Sequence, residues 1–361
     1  MTPLAGAITL AIALLALADW RRALLGVIIV GVLQDALRKL TPAAPAFYIV
    51  WATAVYLAVI AIAMLSRSLP PLRSIYLHDH SVRNAWIAFF ILIALQMLNA
   101  LVRTGNPIVP LFGAVFYLGP PVAMLVAVGY FSGERQLRRF LGFYVLIFLP
   151  ACLTVYLSPS FQDAWPVLRD VGTFTRSQLY IYDVGTILES YSGILRTGEI
   201  AAWHAATAAI FLVTLFLTAR RRRHWLITTM IVALMIGVIV LTGRRKMLMA
   251  LSVFFVVQWA LLAWLRKGMG KIAVVIILVG TLSSYSLTLL EPTSEANLYV
   301  QRSSTVFGEA TGRVGLALDL MKWAFIRSGG LGLGAGSSAQ GARYAGVEQS
   351  KQAGGSSEAG L

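Results

Sequence analysis

The sequence predicts an all-α fold, a polytopic transmembrane helix bundle of about ten or eleven spans. Three observations carry that prediction. Of 361 residues, 58% are hydrophobic and only 12% are charged. The mean hydropathy is +0.77. Basic residues recur in every second connection between the apolar runs. A soluble domain carries roughly 25% charged residues, so a single water-soluble globule is excluded, and so is a disordered chain.

A spanning helix needs roughly 20 apolar residues. The chain opens on Met1-Thr2-Pro3 without the basic start of a signal peptide, so its first apolar run reads as a retained helix. Two short candidates come first, 4–18 and 23–37. The second closes on Gln34, Asp35, Arg38 and Lys39, an interfacial ending. Then follow 47–66, 84–102, 107–131, 140–157, 203–219, 225–243, 247–265 and 272–290. Gly119-Pro120-Pro121 lies near the middle of the fifth span and predicts a packed kink. The alternative there is a discontinuous helix at a binding site. An amphipathic stretch, 314–327, contains Asp319 and Lys322 and either lies at the interface or opens another span. From Arg327 onward the sequence is rich in Gly, Ser and Ala, lacks an apolar span and reads as loop or disorder. The chain therefore divides into N-terminal spans (1–157), a long outer loop (158–202), spans with an outer arginine cluster (203–290), and an outer region with the amphipathic helix and Gly-rich tail (291–361).

The charge is lopsided, with 30 Lys and Arg against 15 Asp and Glu. Arg21/Arg22, Arg67/Arg73/Arg83, Arg135/Arg138/Arg139, Arg220 to Arg223 and Arg266/Lys267/Lys271 fall on alternate connections. The positive-inside rule makes that side cytoplasmic. Half of the basic residues are explained in this way, with no nucleic-acid role. The 158–202 loop and everything from 291 then lie on the outer face. Cys152 is the single cysteine, so no thiolate metal site is expected. The four histidines, His78, His80, His204 and His224, do not form a zinc pattern.

The strongest anomaly is Thr242-Gly243-Arg244-Arg245-Lys246, which joins two spans on the expected outer face. Three consecutive cations there oppose the positive-inside bias. Guanidinium groups match phosphate oxygens bidentately, and Lys adds a point charge. A lipid-linked diphosphate would present such an anion at this depth. The alternatives are contact with anionic lipid headgroups or a different topology, and the unambiguous flanking spans favour the diphosphate. Arg313, in Thr311-Gly312-Arg313-Val314-Gly315, could close a clamp on the same phosphate, and Arg302 is a weaker candidate. The outer loop carries Asp163, Asp170, Asp183, Glu189 and Glu199 among Phe161, Trp165, Phe174, Tyr180, Tyr182 and Tyr191. Rings that stack and carboxylates that accept hydroxyls suit a sugar, although an interfacial aromatic belt has the same composition. His204 follows in Glu199-Ile200-Ala201-Ala202-Trp203-His204, as a proton carrier, a phosphate contact or a hydrogen-bonded structural histidine. Gly330-Leu331-Gly332-Leu333-Gly334-Ala335-Gly336 lacks the strand that a nucleotide loop needs and reads as a turn with close backbone approach.

The Thr242–Lys246 run, the long outer loop leading into Glu199–His204, and Arg313 followed by Gly329–Gly334 together resemble the O-antigen ligase and Wzy-type polysaccharide polymerase superfamily, closest to its exopolysaccharide-polymerisation branch. The resemblance covers roughly 40–361 by topology, with its motifs in about 190–336. It implies a C-type glycosyltransferase of the bacterial inner membrane, active on the periplasmic side, using a polyprenyl-diphosphate-linked oligosaccharide donor and a glycan or lipid acceptor, with no metal, nucleotide sugar or other cofactor. It implies that Arg244 or Arg245, together with Arg313, binds the diphosphate and stabilises it as leaving group, with Lys246 beside them. The ligase branch carries a catalytic histidine in a second large outer loop, followed by further spans. This sequence has no histidine after His224. The chain is therefore expected either to be truncated at its C-terminus or to use another base, with His204 and Glu199 as the candidates. A non-enzymatic transporter or flippase of lipid-linked glycans is the alternative. It calls for ionisable groups at mid-membrane and paired broken helices, whereas Gln96, Asn99 and Gln258 are the main polar side chains in the spans.

Overall fold

The computed structural model describes residues 2–42, 44–45, 47–66, 80–131, 133–169, 178–181, 186–218, 225–264, 298–299, 315, 318–319, 322, 326 and 334–336. The described chain is mostly helical: α1 (Thr2–Leu40), α2 (Phe47–Leu65), α3 (His80–Thr104), α4 (Ile108–Tyr130), α5 (Glu134–Leu153), the short α6 (Ser158–Phe161), α7 (Gly198–Thr218), α8 (Trp225–Leu241) and α9 (Arg245–Trp264). Seven of these helices are long and apolar enough to cross a membrane, and α8 is slightly shorter. The protein is a multi-pass membrane protein with the expected helical architecture. A small antiparallel hairpin is added, with β1 (Gln178–Ile181) paired to β2 (Thr186–Glu189) in the register Gln178 to Glu189. The helices coincide with nine of the ten expected spans, and the tenth, 272–290, lies outside the described residues.

The two short N-terminal candidates are the limbs of α1. Asp19 leaves the helical region, with φ −154° and ψ 94°. Its Oδ1 accepts the backbone N–H of Arg21 at 3.0 Å and of Arg22 at 3.3 Å. Asp19 is therefore the N-cap of the second limb, which supplies acceptors for amides that a new helix leaves unpaired. The limbs fold back on each other: a Cβ on Gly26 would lie 3.2 Å from Ile12 Cγ1. In one unbroken helix these positions would be about 21 Å apart. The sequence accordingly breaks where a charged Asp-Trp-Arg-Arg turn interrupts the apolar run.

The chain forms two compact units, Met1–Ala63 with Gly133–Gly308, and Met64–Ser132 with Glu309–Leu361. In the second unit, α3 and α4 pack as an antiparallel pair. Helix α4 runs through Pro120 and Pro121 from Ile108 to Tyr130 without interruption. The turn Gly334-Ala335-Gly336 docks on this pair, and Ala335 N–H donates to Gln96 O at 2.9 Å. A Cβ on Gly334 would lie 2.5 Å from Ala100 Cα, and one on Gly113 would lie 2.5 Å from the Ala335 carbonyl carbon. Only glycine fits these crossings, and Gly334 and Gly336 also hold φ of +93° and +88°. Of the stretch 314–327, residues 315, 318, 319, 322 and 326 are described; all are helical and exposed.

In the first unit, the core is built from α5, α7, α8 and α9. Helix α7 presents a small-residue face, with Ala201, Ala202, Ala205, Ala208 and Ala209 buried. Small faces let backbones approach where no hydrophobic effect drives helices together in lipid. The 3-10 turn Thr154–Leu157 continues α5. From it Tyr156 reaches α8 and donates its hydroxyl to Leu234 O at 2.7 Å. A Cβ on Gly237 would collide with that hydroxyl. Gly237→Val should therefore expel Tyr156 and destabilise the protein by about 1–3 kcal/mol, read as a lowered thermal midpoint in detergent, whereas Ile236→Val should change it by less than half as much.

Candidate functional site

The connection between α5 and α7 is shorter than a loop reaching 202, because α7 begins at Gly198. That places Glu199 in the first turn of α7, where the positive end of the helix dipole favours a carboxylate. Residues 190–197 are tied to four helix ends, those of α1, α5, α6 and α8. Lys39, in the last turn of α1, donates from Nζ to Ser192 Oγ at 2.9 Å and to Gly193 O at 2.6 Å. Asp35 Oδ2 accepts Arg196 N–H at 3.0 Å. Thr154 Oγ1 accepts Ile194 N–H at 2.9 Å, and Ser158 Oγ accepts Gly193 N–H at 3.1 Å. Ser190 Oγ donates to Thr242 O at 2.9 Å, and this bond is buried. Tyr299 donates its hydroxyl to Glu189 O at 2.6 Å.

Thr242 and Gly243 turn the chain from α8 into α9. Gly243 adopts φ +66°, a conformation that L side chains rarely take. The turn delivers Arg244 just before α9, with Arg245 and Lys246 in its first turn. No acid occupies that turn, so two cations stand at the positive end of a 20-residue helix dipole. That arrangement is unfavourable unless an anion is nearby. One such anion is present: Lys246 Nζ pairs with Glu199 Oε1. The side chains of the pair are 36% and 30% exposed, so solvent reaches them. Arg244 Nε is buried and has no hydrogen-bond partner among the described residues. The N-termini of α7 and α9 thus meet at one end of the first unit, with cations in excess of acids there. This is the electrostatic setting of an anion site.

The other expected residues are placed as follows. His204 lies on a different face of α7 from Glu199, against α5. Its ring stacks on Phe148 with centroids 3.8 Å apart, and its Nδ1 meets the Tyr144 hydroxyl at 2.7 Å. Of the readings open for it, the hydrogen-bonded structural histidine has this geometry. Arg313 and Arg302 lie outside the described residues, as do Asp170, Phe174, Tyr182 and Asp183 of the loop. Phe161 and Trp165 stack at 5.3 Å and are exposed. Beside them Arg169 pairs with Asp163 at 3.6 Å. Among the described residues, no three His, Cys, Asp or Glu side chains gather into a group that could hold a metal.

Comparison of the chain with family models, curated proteins and solved structures yields no match.

The structure gives a structural role to residues that the sequence reads only as an interfacial ending. Asp35 is 2% exposed, and its Oδ1 has no hydrogen-bond partner among the described residues. Arg38 is also buried, with Nε donating to Ala44 O at 3.1 Å. The signal was there in an acid followed by two cations in the last turns of an apolar helix, since ionisable groups within spans are costly and usually paired. Lys39→Met should release residues 190–197 from α1. Limited proteolysis of the membrane-embedded protein should then cut within 158–197 several times faster than in the wild type, while Lys322→Met leaves cleavage unchanged.

Proposed function

We propose that this protein is a glycosyltransferase of the bacterial inner membrane that polymerises or ligates a polyprenyl-diphosphate-linked glycan on the periplasmic side, as an O-antigen ligase or Wzy-type polymerase would. The single observation that carries the reading is the pairing of Lys246, the last of the three cations Arg244, Arg245 and Lys246, with Glu199 where two helix N-termini converge. The diphosphate of the donor is the ligand whose charge and depth suit that cluster.

Glu199 is the base of the transfer step. The acceptor hydroxyl attacks the anomeric carbon of the donor sugar and loses its proton to Glu199 Oε. The bond between the anomeric carbon and the diphosphate oxygen breaks, and that oxygen leaves with the electron pair. Arg244, Arg245 and Lys246 hold the charge that develops on it, and Arg313 is the further cation that the sequence resemblance implies. The products are an extended or ligated glycan and the polyprenyl diphosphate. His204, enclosed by Phe148 and Tyr144, supports α7 from behind. The continuity of α4 through Pro120 and Pro121 supports an enzyme over a flippase, whose sites are built from broken helices.

Arg244→Ala, Arg245→Ala and Arg313→Ala should each abolish polymer or ligated product while the protein persists in the membrane. Normal product from all three would overturn the proposal. Counterflow of labelled lipid-linked glycan in vesicles without any acceptor would establish the flippase instead. His204→Gln should keep at least a third of wild-type product and lower the thermal midpoint, whereas Glu199→Gln should reduce product at least a hundredfold. Equal losses from the two substitutions would remove Glu199 from its role.

A further inference from the structure

We infer that Glu199 is an internal stand-in for the donor diphosphate: its carboxylate occupies Lys246 in the empty site, and an arriving phosphate displaces it. The inference rests on the reading above and adds an order of events to it. Four observations converge on it. Glu199 and Lys246 are joined although 47 positions apart in sequence. Both side chains are about one-third exposed, so an anion from solvent or from the membrane surface can reach the pair. The pair stands at the first turns of α7 and α9, where both helix dipoles favour negative charge. Arg244, immediately before α9, adds a further positive charge to the same turn, and its Nε has no hydrogen-bond partner among the described residues.

These features set the direction of exchange. An ion pair this open is held only weakly, because solvent screens it. A diphosphate brings more charge and more acceptor oxygens than a carboxylate, so it competes for the Lys246 ammonium at the start of α9. The exchange therefore runs toward the phosphate. While paired with Lys246, Glu199 is engaged and does not take a proton from an acceptor. Once the phosphate holds Lys246, the carboxylate is released beside the newly bound donor. Donor binding thus precedes and enables activation of the acceptor hydroxyl. The empty enzyme does not present a free base to water.

The test uses the full chain in phosphatidylcholine nanodiscs, with inorganic pyrophosphate as the probe and calorimetric titration as the readout. Removing the stand-in should strengthen anion binding: Glu199→Gln should bind pyrophosphate about two- to fivefold more tightly than the wild type, although it has lost glycosyl transfer. Glu199→Asp, whose shorter carboxylate does not span to Lys246, should also bind more tightly, and it guards against a folding defect in the first variant. Unchanged or weaker binding in both variants overturns the inference but leaves the anion site standing, provided that Arg244→Ala still loses pyrophosphate. Absence of pyrophosphate binding in the wild type overturns both. Tighter binding in both variants without glycosyl transfer by the wild type keeps the exchange and removes the transferase reading. Titration repeated with phosphatidylglycerol added to the nanodisc separates the sources of phosphate. Loss of the wild-type signal at a few mole per cent would make the occupant a lipid headgroup and would overturn the donor-first order.

Discussion

Lys39 ends an apolar helix, and its ammonium must find acceptors or remain in water. It finds Ser192 Oγ and Gly193 O. That pair of bonds sets the position of residues 190–197, and the rest of the site depends on it. Ser190, fixed by the same segment, reaches Thr242 O and so holds the turn between α8 and α9. The segment leads into Gly198, where a Cβ would run into the Ser190 hydroxyl. A buried backbone carbonyl left without a donor costs roughly 1–3 kcal/mol, so each bond makes the alternatives to this arrangement expensive. The first turns of α7 and α9 are positioned by polar bonds at their ends as much as by packing along their lengths.

Packing supplies the other half. Alanines along α7 bring its backbone close to α5 and α8. Close approach leaves little room for a long side chain on those faces. His204 fits because its ring lies nearly parallel to Phe148, at 15°, and its polar edge is taken by Tyr144. Glu199, five positions earlier on the same helix, turns instead toward α9 and meets Lys246. Helical spacing of 3.6 residues per turn separates the two faces. One short sequence stretch, Glu199–His204, therefore serves two different tasks, and the helix period assigns them.

The spans were legible because apolar length is a local property. The Asp19 break was legible for the same reason, since charge interrupts the apolar run at one place. The cluster at 244–246 stood out because it opposes the charge bias of the remaining connections. What it pairs with did not: Glu199 and Lys246 meet through the tertiary fold, and no period links them. Tyr144 and His204 are 60 positions apart. Asp35 and Lys39 read as an interfacial ending, although burial and bonds to a distant segment make them a latch. The Gly-rich tail read as a turn with close backbone approach, and 334–336 has that form, but its seat on α3 and α4 is a matter of shape complementarity between glycines that composition does not encode.

The cations at the end of the first unit differ in how they are satisfied. Lys39 and Arg38 bond to backbone or hydroxyl oxygens within the protein. Their charges are consumed in holding the fold. Lys246 bonds to a carboxylate that solvent can reach, and Arg244 keeps a buried nitrogen unused. A structural cation gains nothing from an exchangeable partner, and a buried guanidinium nitrogen without an acceptor is a cost that folding alone would select against. Both features are explained if the partner that completes the site arrives from outside. The helix dipoles give the same sign, because α9 begins with two cations where an acid would stabilise it. Net positive charge in this protein therefore separates by position and by pairing: Lys39 and Arg38 are tied inward and hold the bundle end together, and Arg244 and Lys246 stand at the start of α9 with a solvent-reached carboxylate as their neighbour.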